Sequence, residues 1–166
     1  IGAGELGLGV AKIAEAFGMK VIFAALPGRS HSNQDNRMPF GALLKEADIL
    51  SLHCPLTAET AKLISADELG SMKESALLIN TARGGLIDEK ALKDALTNGV
   101  IAGAAVDVLS VEPPSDGNLL IDSDIPNLIV TPHVAWVARE SRQRLVNQVA
   151  ENIKGFLAGQ PRNQVS

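Results

Sequence analysis

Arg83, Asp107, Glu112 and His133 have side chains that hold carboxylates or move protons, and each stands just past an apolar run. Arg83 follows residues 76–80, and Asp107 closes residues 101–106. Glu112 lies five positions further on, and His133 follows residues 128–130. Hydride transfer to a 2-oxo acid needs a cation to hold the substrate carboxylate and polarise its carbonyl. The planar fork of arginine suits both tasks. The oxygen must be protonated as hydride arrives, and histidine titrates in the right range. A carboxylate beside the imidazole favours its charged form and orients it. Arg83, His133 and Glu112 would supply these three roles, and Asp107 could accept a hydrogen bond from a nicotinamide amide. Each also has a plainer reading: a turn arginine, a cap at Asp107, a loop glutamate before two prolines, a structural histidine after Pro132.

A second feature points to the same chemistry. Gly2-x-Gly4-x-x-Gly7 leads into residues 8–17, where Val10, Ile13, Ala14 and Phe17 recur at helical spacing. Glycines let a backbone turn tightly and approach a pyrophosphate, and the helix that follows offers it free N–H groups. The carboxylate that usually reads an adenine ribose should stand about 20 residues on. Ala25 occupies that place, followed by Leu26-Pro27-Gly28-Arg29. Arg29 or Arg37 could face a 2′-phosphate instead, which leaves NAD and NADP both open.

These residues need a scaffold that collects them. Apolar runs at 21–25, 49–52, 76–80, 101–108 and 128–130 read as buried strands. Helical segments alternate with them at 8–17, 41–47, 57–64, a short helix opened by a Ser65/Glu68 capping box, 89–96 behind an Asp88 cap, and 136–157. Residues 27–39 are polar and read as a loop, and residues 159–166 as a tail. Strict alternation predicts a doubly wound parallel α/β sheet, with ligands beyond the carboxyl ends of its strands. The expected organisation is a dinucleotide-binding domain over 1–158 and a tail over 159–166. Ile1 stands directly before the glycines, so the first strand is a truncated stub. The expectation is a longer protein whose amino-terminal part, with any targeting signal, is absent from this sequence.

Composition narrows the class. The 166 residues are 46% hydrophobic and 20% charged, with net charge −4, a folded and mildly acidic mix. That balance disfavours nucleic acid or an anionic membrane as partner. No run approaches the 18 or so apolar residues of a membrane span. The lone Cys54 excludes an intrachain disulfide and suits a reducing, cytoplasmic setting. His31 and His53 have no ligand partner at metal spacing, so no metal site is expected.

Five ordered motifs now stand together: Gly2–Gly7 with Phe17-Gly18-Met19; His53-Cys54-Pro55-Leu56-Thr57; Leu78-Ile79-Asn80-Thr81-Ala82-Arg83-Gly84-Gly85; Ala105-Val106-Asp107-Val108 with Glu112-Pro113; and Thr131-Pro132-His133. In this order they resemble the nucleotide-binding domain of the D-isomer-specific 2-hydroxyacid dehydrogenases, across essentially the whole chain. His133-Val134-Ala135-Trp136 and Leu26-Pro27-Gly28-Arg29 most resemble the glycerate dehydrogenase (hydroxypyruvate and glyoxylate reductase) branch. The resemblance implies a Rossmann domain within a two-domain subunit, NAD or NADP as cofactor, a small 2-oxo or 2-hydroxy acid substrate, and a homodimer. It implies that Arg83 binds the substrate carboxylate and carbonyl, and that His133, paired with Glu112, donates the proton. The backbone at Glu5, Leu6 and Gly7 would receive the pyrophosphate. Thr81, Ala82, Arg83, Asp107, His133, Ala135 and Trp136 would surround the nicotinamide. Cys54 before Pro55 reads as a small apolar residue lining the adenine region, not as a nucleophile. Trp136 could pack, close the active site or meet a second subunit.

Two positions depart from the family pattern. Ala25 lacks the ribose carboxylate, and Glu5 places a negative charge inside the phosphate turn, where many members carry a basic residue. The competing class is a non-catalytic NAD(H)-sensing scaffold or corepressor built on the same fold. The segment by itself is expected to catalyse nothing.

Overall fold

A computed structural model describes residues 1–26, 37–125 and 127–164. The chain divides into two compact units, one spanning Ile1–Pro132 and one starting at His133.

The first unit is a parallel α/β structure. Strands β1 (Phe23–Ala25) and β2 (Arg37–Pro39) pair in parallel. Strands β3 (Ile49–Leu52), β4 (Leu77–Asn80), β5 (Gly103–Val106) and β6 (Leu128–Val130) form a four-stranded parallel sheet in chain order. Register aligns Leu52 with Asn80, Asn80 with Val106, and Val106 with Val130. One row of residues therefore marks the carboxyl edge, and the segments beginning at Cys54, Arg83, Asp107 and Thr131 all leave from it. Ile1 runs along the free side of β3. Its N–H group donates to the Ser51 carbonyl at 2.6 Å, and its carbonyl accepts from His53 N at 2.7 Å.

Helices α1 (Glu5–Ala16), α2 (Phe40–Glu46), α3 (Ala66–Ser71) and α4 (Glu89–Thr97) make up the rest, with one 3-10 turn at Gly84–Leu86. Their ends follow local chemistry. Gly18, at φ +79°, closes α1, with Gly18 N bonded to Glu15 O and Met19 N to Ala14 O. That pair satisfies two terminal carbonyls, a geometry glycine accepts without Cβ strain. Ser65 and Glu68 form the expected capping box on α3, and the Asp88 carboxylate accepts from Lys90 N and Ala91 N on α4. Leu50, Leu52, Ile64, Leu69, Leu78, Leu86, Leu92 and Ile101 are fully buried in one core. Burying each such side chain contributes about 1.5–3 kcal/mol.

Three expectations need correction. Residues 37–39 are strand β2, not loop. A three-residue strand ending in proline carries no apolar run, and its pairing with β1 is what defines it. Residues 57–64 are turns, not helix. Thr60 Oγ1 donates to Pro55 O at 2.7 Å and accepts from Thr57 N at 2.8 Å. These side-chain bonds compete with a helical ladder, and Ile64 then bridges to Ile87. The last helix, α5 (Arg139–Leu157), begins three residues after Trp136, because Val137 N closes a turn onto Val134 O. Helix α5 belongs to the second unit. Among the described residues, no helix is long and apolar enough to cross a membrane, and no three His, Cys, Asp or Glu side chains are grouped as metal ligands.

Candidate active site

The glycine turn is pressed against the end of β3. Gly2 has φ +97°, and a Cβ there would stand 2.7 Å from Cys54 N and from the His53 carbonyl. A Cβ at Gly7 would overlap the Gly2 carbonyl oxygen. Gly4 instead faces open space. The first bond of α1 runs from Leu8 N to Gly4 O. The helix therefore leaves the N–H groups of Glu5, Leu6 and Gly7 to outside acceptors, and no side chain caps this end. Close packing on one side, open space on the other and clustered N–H donors fit a pyrophosphate. Glu5 is exposed.

Residues 53–56 carry this cradle toward the next strand. Cys54 is buried. His53 Nε2 lies 2.9 Å from Ser51 Oγ, and burial holds its imidazole below the ordinary value. Leu56 reaches Gly85, where a Cβ would meet its Cδ2 at 2.9 Å. The cradle and the Arg83 turn are thus joined by one short segment.

Arg83 follows β4 with an extended backbone, φ −148° and ψ 136°. Its guanidinium is exposed, and Nη1 donates to Ala82 O at 2.6 Å. The fully buried Asn80 closes this turn: Ala82 N donates to its Oδ1 at 3.0 Å, and its Nδ2 donates to Arg83 O at 2.9 Å.

The loop after β5 lies against the same turn. Asp107 is buried, receives a hydrogen bond from Thr131 Oγ1, and donates its own N–H to Asn80 O at 2.9 Å. Glu112 Oε1 accepts from Leu109 N at 2.7 Å. Glu89, opening α4, accepts from Ser110 N at 2.7 Å and from Asn118 Nδ2 at 2.8 Å. Gly84 touches the backbone of Leu109 and Ser110 directly, which links the Arg83 turn to the loop bearing Glu112.

In the second unit, His133 has φ +54°. Left-handed backbone costs a residue with a Cβ roughly 1–2 kcal/mol, and such outliers cluster at functional sites. Trp136 Nε1 donates to His133 O at 3.0 Å, so the indole braces the histidine backbone. Ala135 lies between them.

Of the residues singled out from sequence, Gly2, Gly4, Glu5, Leu6, Gly7, Cys54, Pro55, Thr81, Ala82, Arg83, Asp107 and Glu112 all leave the carboxyl edge of the first unit. His133, Ala135 and Trp136 sit in the second. Arg29 lies outside the described residues. Arg37, the other candidate for a 2′-phosphate, opens β2 and donates to Ala24 O at 3.2 Å. Sequence reasoning gave no role to Asn80, Thr131 or Glu89. An asparagine ending an apolar strand just before a turn was the available signal, because asparagine closes turns through its side chain.

A parallel sheet with a glycine cradle and a charged rim at its carboxyl edge defines a dinucleotide-binding α/β domain. Residues 1–135 match the family described as "D-isomer specific 2-hydroxyacid dehydrogenase, NAD binding domain". The chain belongs to that family. It is 51% identical over 166 residues to a glycerate dehydrogenase from Methylorubrum extorquens, covering 99% of this chain and 51% of the relative. It is 39% identical to a hydroxypyruvate reductase from Blautia hydrogenotrophica, covering 100% of this chain and 52% of that one. A solved structure of an acyclic imino acid reductase, Bsp5, in complex with NADPH and D-Arg aligns with TM-score 0.85 and 38% identity, over 99% of this chain and 52% of that one. The chain spans about half the length of the relatives it matches.

Proposed function

We propose that this chain is the nucleotide-binding part of an NAD(P)-dependent oxidoreductase that interconverts a small 2-oxo acid and its D-2-hydroxy acid. Glycerate with hydroxypyruvate, or glyoxylate, is the substrate of choice. The observation that carries this reading is the contact of Gly84 with Leu109 and Ser110, which holds the Arg83 turn against the Glu112 loop on the rim that also bears the glycine cradle. The relatives carry catalytic names, which favours an enzyme over a nucleotide-sensing scaffold.

The N–H groups at Glu5, Leu6 and Gly7 would bind the pyrophosphate, with Cys54 and Pro55 beside the adenine. NADH or NADPH supplies the hydride when bound. Arg83 binds the substrate carboxylate and polarises the carbonyl through charge-assisted bonds. His133 would donate a proton to the carbonyl oxygen, with Glu112 as its carboxylate partner in the proposed set. Asp107 would accept from a nicotinamide amide, and Thr81, Ala82, Ala135 and Trp136 would be the residues that hold the ring. Ala25 ends β1 without a carboxylate for a ribose 2′-hydroxyl, and this favours tolerance of NADP.

The domain assignment, 1–158 for the nucleotide and 159–166 as a tail returning to a substrate domain, belongs to the same proposal. So do a homodimer and a cytoplasmic setting. Sedimentation of the full-length protein checks the dimer. The function itself is tested by offering full-length protein NADH and NADPH with a panel of 2-oxo acids. Turnover that His133→Gln abolishes while nucleotide binding persists is expected. No turnover with any member of the panel overturns the reading.

A further inference from the structure

We infer that Asn80 is the positioning residue that aims Arg83 at the substrate carboxylate, an inference that rests on the function proposed above. Asn80 is the last residue of β4 and is fully buried. Its side-chain amide spends a donor and an acceptor on the Thr81–Ala82 and Arg83–Gly84 peptides, the two on either side of the Ala82–Arg83 link. The oxygen takes the Ala82 N–H, and the nitrogen gives to the Arg83 carbonyl. With both peptides tied to one rigid strand end, the Arg83 backbone is held extended and its guanidinium leaves the turn toward solvent. Asn80 also accepts the Asp107 N–H through its own carbonyl. The same residue therefore sets the spacing between the arginine and the buried aspartate one strand away.

No other side chain performs this task. Aspartate keeps the acceptor but sets an oxygen against the Arg83 carbonyl. Serine is too short to span both groups, and glutamine is one methylene too long for the space. A guanidinium displaced by about 1 Å from its productive place costs on the order of 100-fold in rate. A residue outside contact with substrate thus controls the reaction through the geometry of the one that makes contact.

The test uses the full-length protein with Asn80→Asp, Asn80→Ser, Arg83→Ala and the two double variants. Three quantities are read: kcat/KM for the 2-oxo acid that the wild type turns over best, the dissociation constant of NADH, and that of oxalate on the NADH complex. Oxalate is an unreactive carboxylate probe. Expected for both Asn80 variants is a loss of about 10- to 100-fold in kcat/KM and a parallel loss of oxalate affinity, with a smaller loss of NADH affinity. In the Arg83→Ala background the Asn80 changes add no further loss, because the two residues act as a unit. Unchanged kcat/KM, an equal loss of NADH affinity, or losses that multiply in the double variants overturn the inference. So does failure of both Asn80 variants to fold, which would make Asn80 a residue of the fold alone. A wild type inactive toward every 2-oxo acid is a different result: it overturns the proposed function and takes this inference with it.

Discussion

Gly84 meets Leu109 backbone to backbone. A Cβ at Gly84 would overlap the Leu109 carbonyl and the Ser110 nitrogen, so the turn after β4 and the loop after β5 share a surface with no room for a methyl group. Neither neighbour is a side chain that can swing aside.

Gly84→Ala therefore forces a backbone shift, and overpacking of this kind costs about 1–3 kcal/mol or more. The urea midpoint should fall, and turnover should fall further than stability alone requires, because the shift parts Arg83 from Glu112. Gly9→Ala is the contrasting case. Gly9 lies inside α1 with open space around it, and alanine there should stabilise by about 0.5–1 kcal/mol. A Gly84→Ala midpoint equal to wild type would show that the contact yields.

Gly2→Ala tests the cradle. The new methyl would meet His53 and Cys54 backbone at 2.7 Å, on a residue whose φ of +97° already disfavours any Cβ. NADH titration should show the dissociation constant rising well beyond any change in thermal midpoint. Equal nucleotide affinity would place the phosphate elsewhere.

Glu5→Gln separates two opposing effects. The exposed carboxylate stands where a pyrophosphate would be bound, and its removal should tighten nucleotide binding, more so at low salt. The same charge favours the α1 amino end by about 0.3–1 kcal/mol, so stability should drop slightly. Opposite signs in the two measurements are the expected result.

Asp88 makes stability depend on acid. The Lys62 hydrogen bond, then the Ala91 N–H, holds its carboxyl below the ordinary 3.8. A depressed carboxyl means that the unfolded chain binds the proton more readily. Its contribution is thus present above 3.8 and is lost as pH falls through the folded value. Asp88→Ala should cost about 1 kcal/mol at neutral pH through loss of the α4 cap. The gap from wild type should narrow in acid unfolding curves.

Much of this arrangement was readable from residue order alone. Apolar runs ending at Leu52, Asn80, Val106 and Val130 marked the strands, although Ile49, Leu77 and Ile129 within them are exposed and only alternate positions of β3 and β4 are buried. The polar residues just past them gave the rim. Strand β2 was hidden, since Arg37, Met38 and Pro39 become a strand only through pairing with β1. The 57–64 segment looked helical by spacing, yet the Thr60 hydroxyl diverts its backbone into turns. Asn80 showed its turn-closing place in the linear text, but which peptide groups its buried amide meets is set by the fold and not by local spacing.

Strands β3 to β6 stand side by side in the order in which the chain makes them. Travel along the polypeptide is therefore travel across the rim, about 4.8 Å at each step. The opposite edge of the sheet, where residues 98–102 turn between α4 and β5, holds none of the chemistry. An insertion engineered there, such as a reporter loop, would lengthen the protein while leaving the reacting groups at their present separations.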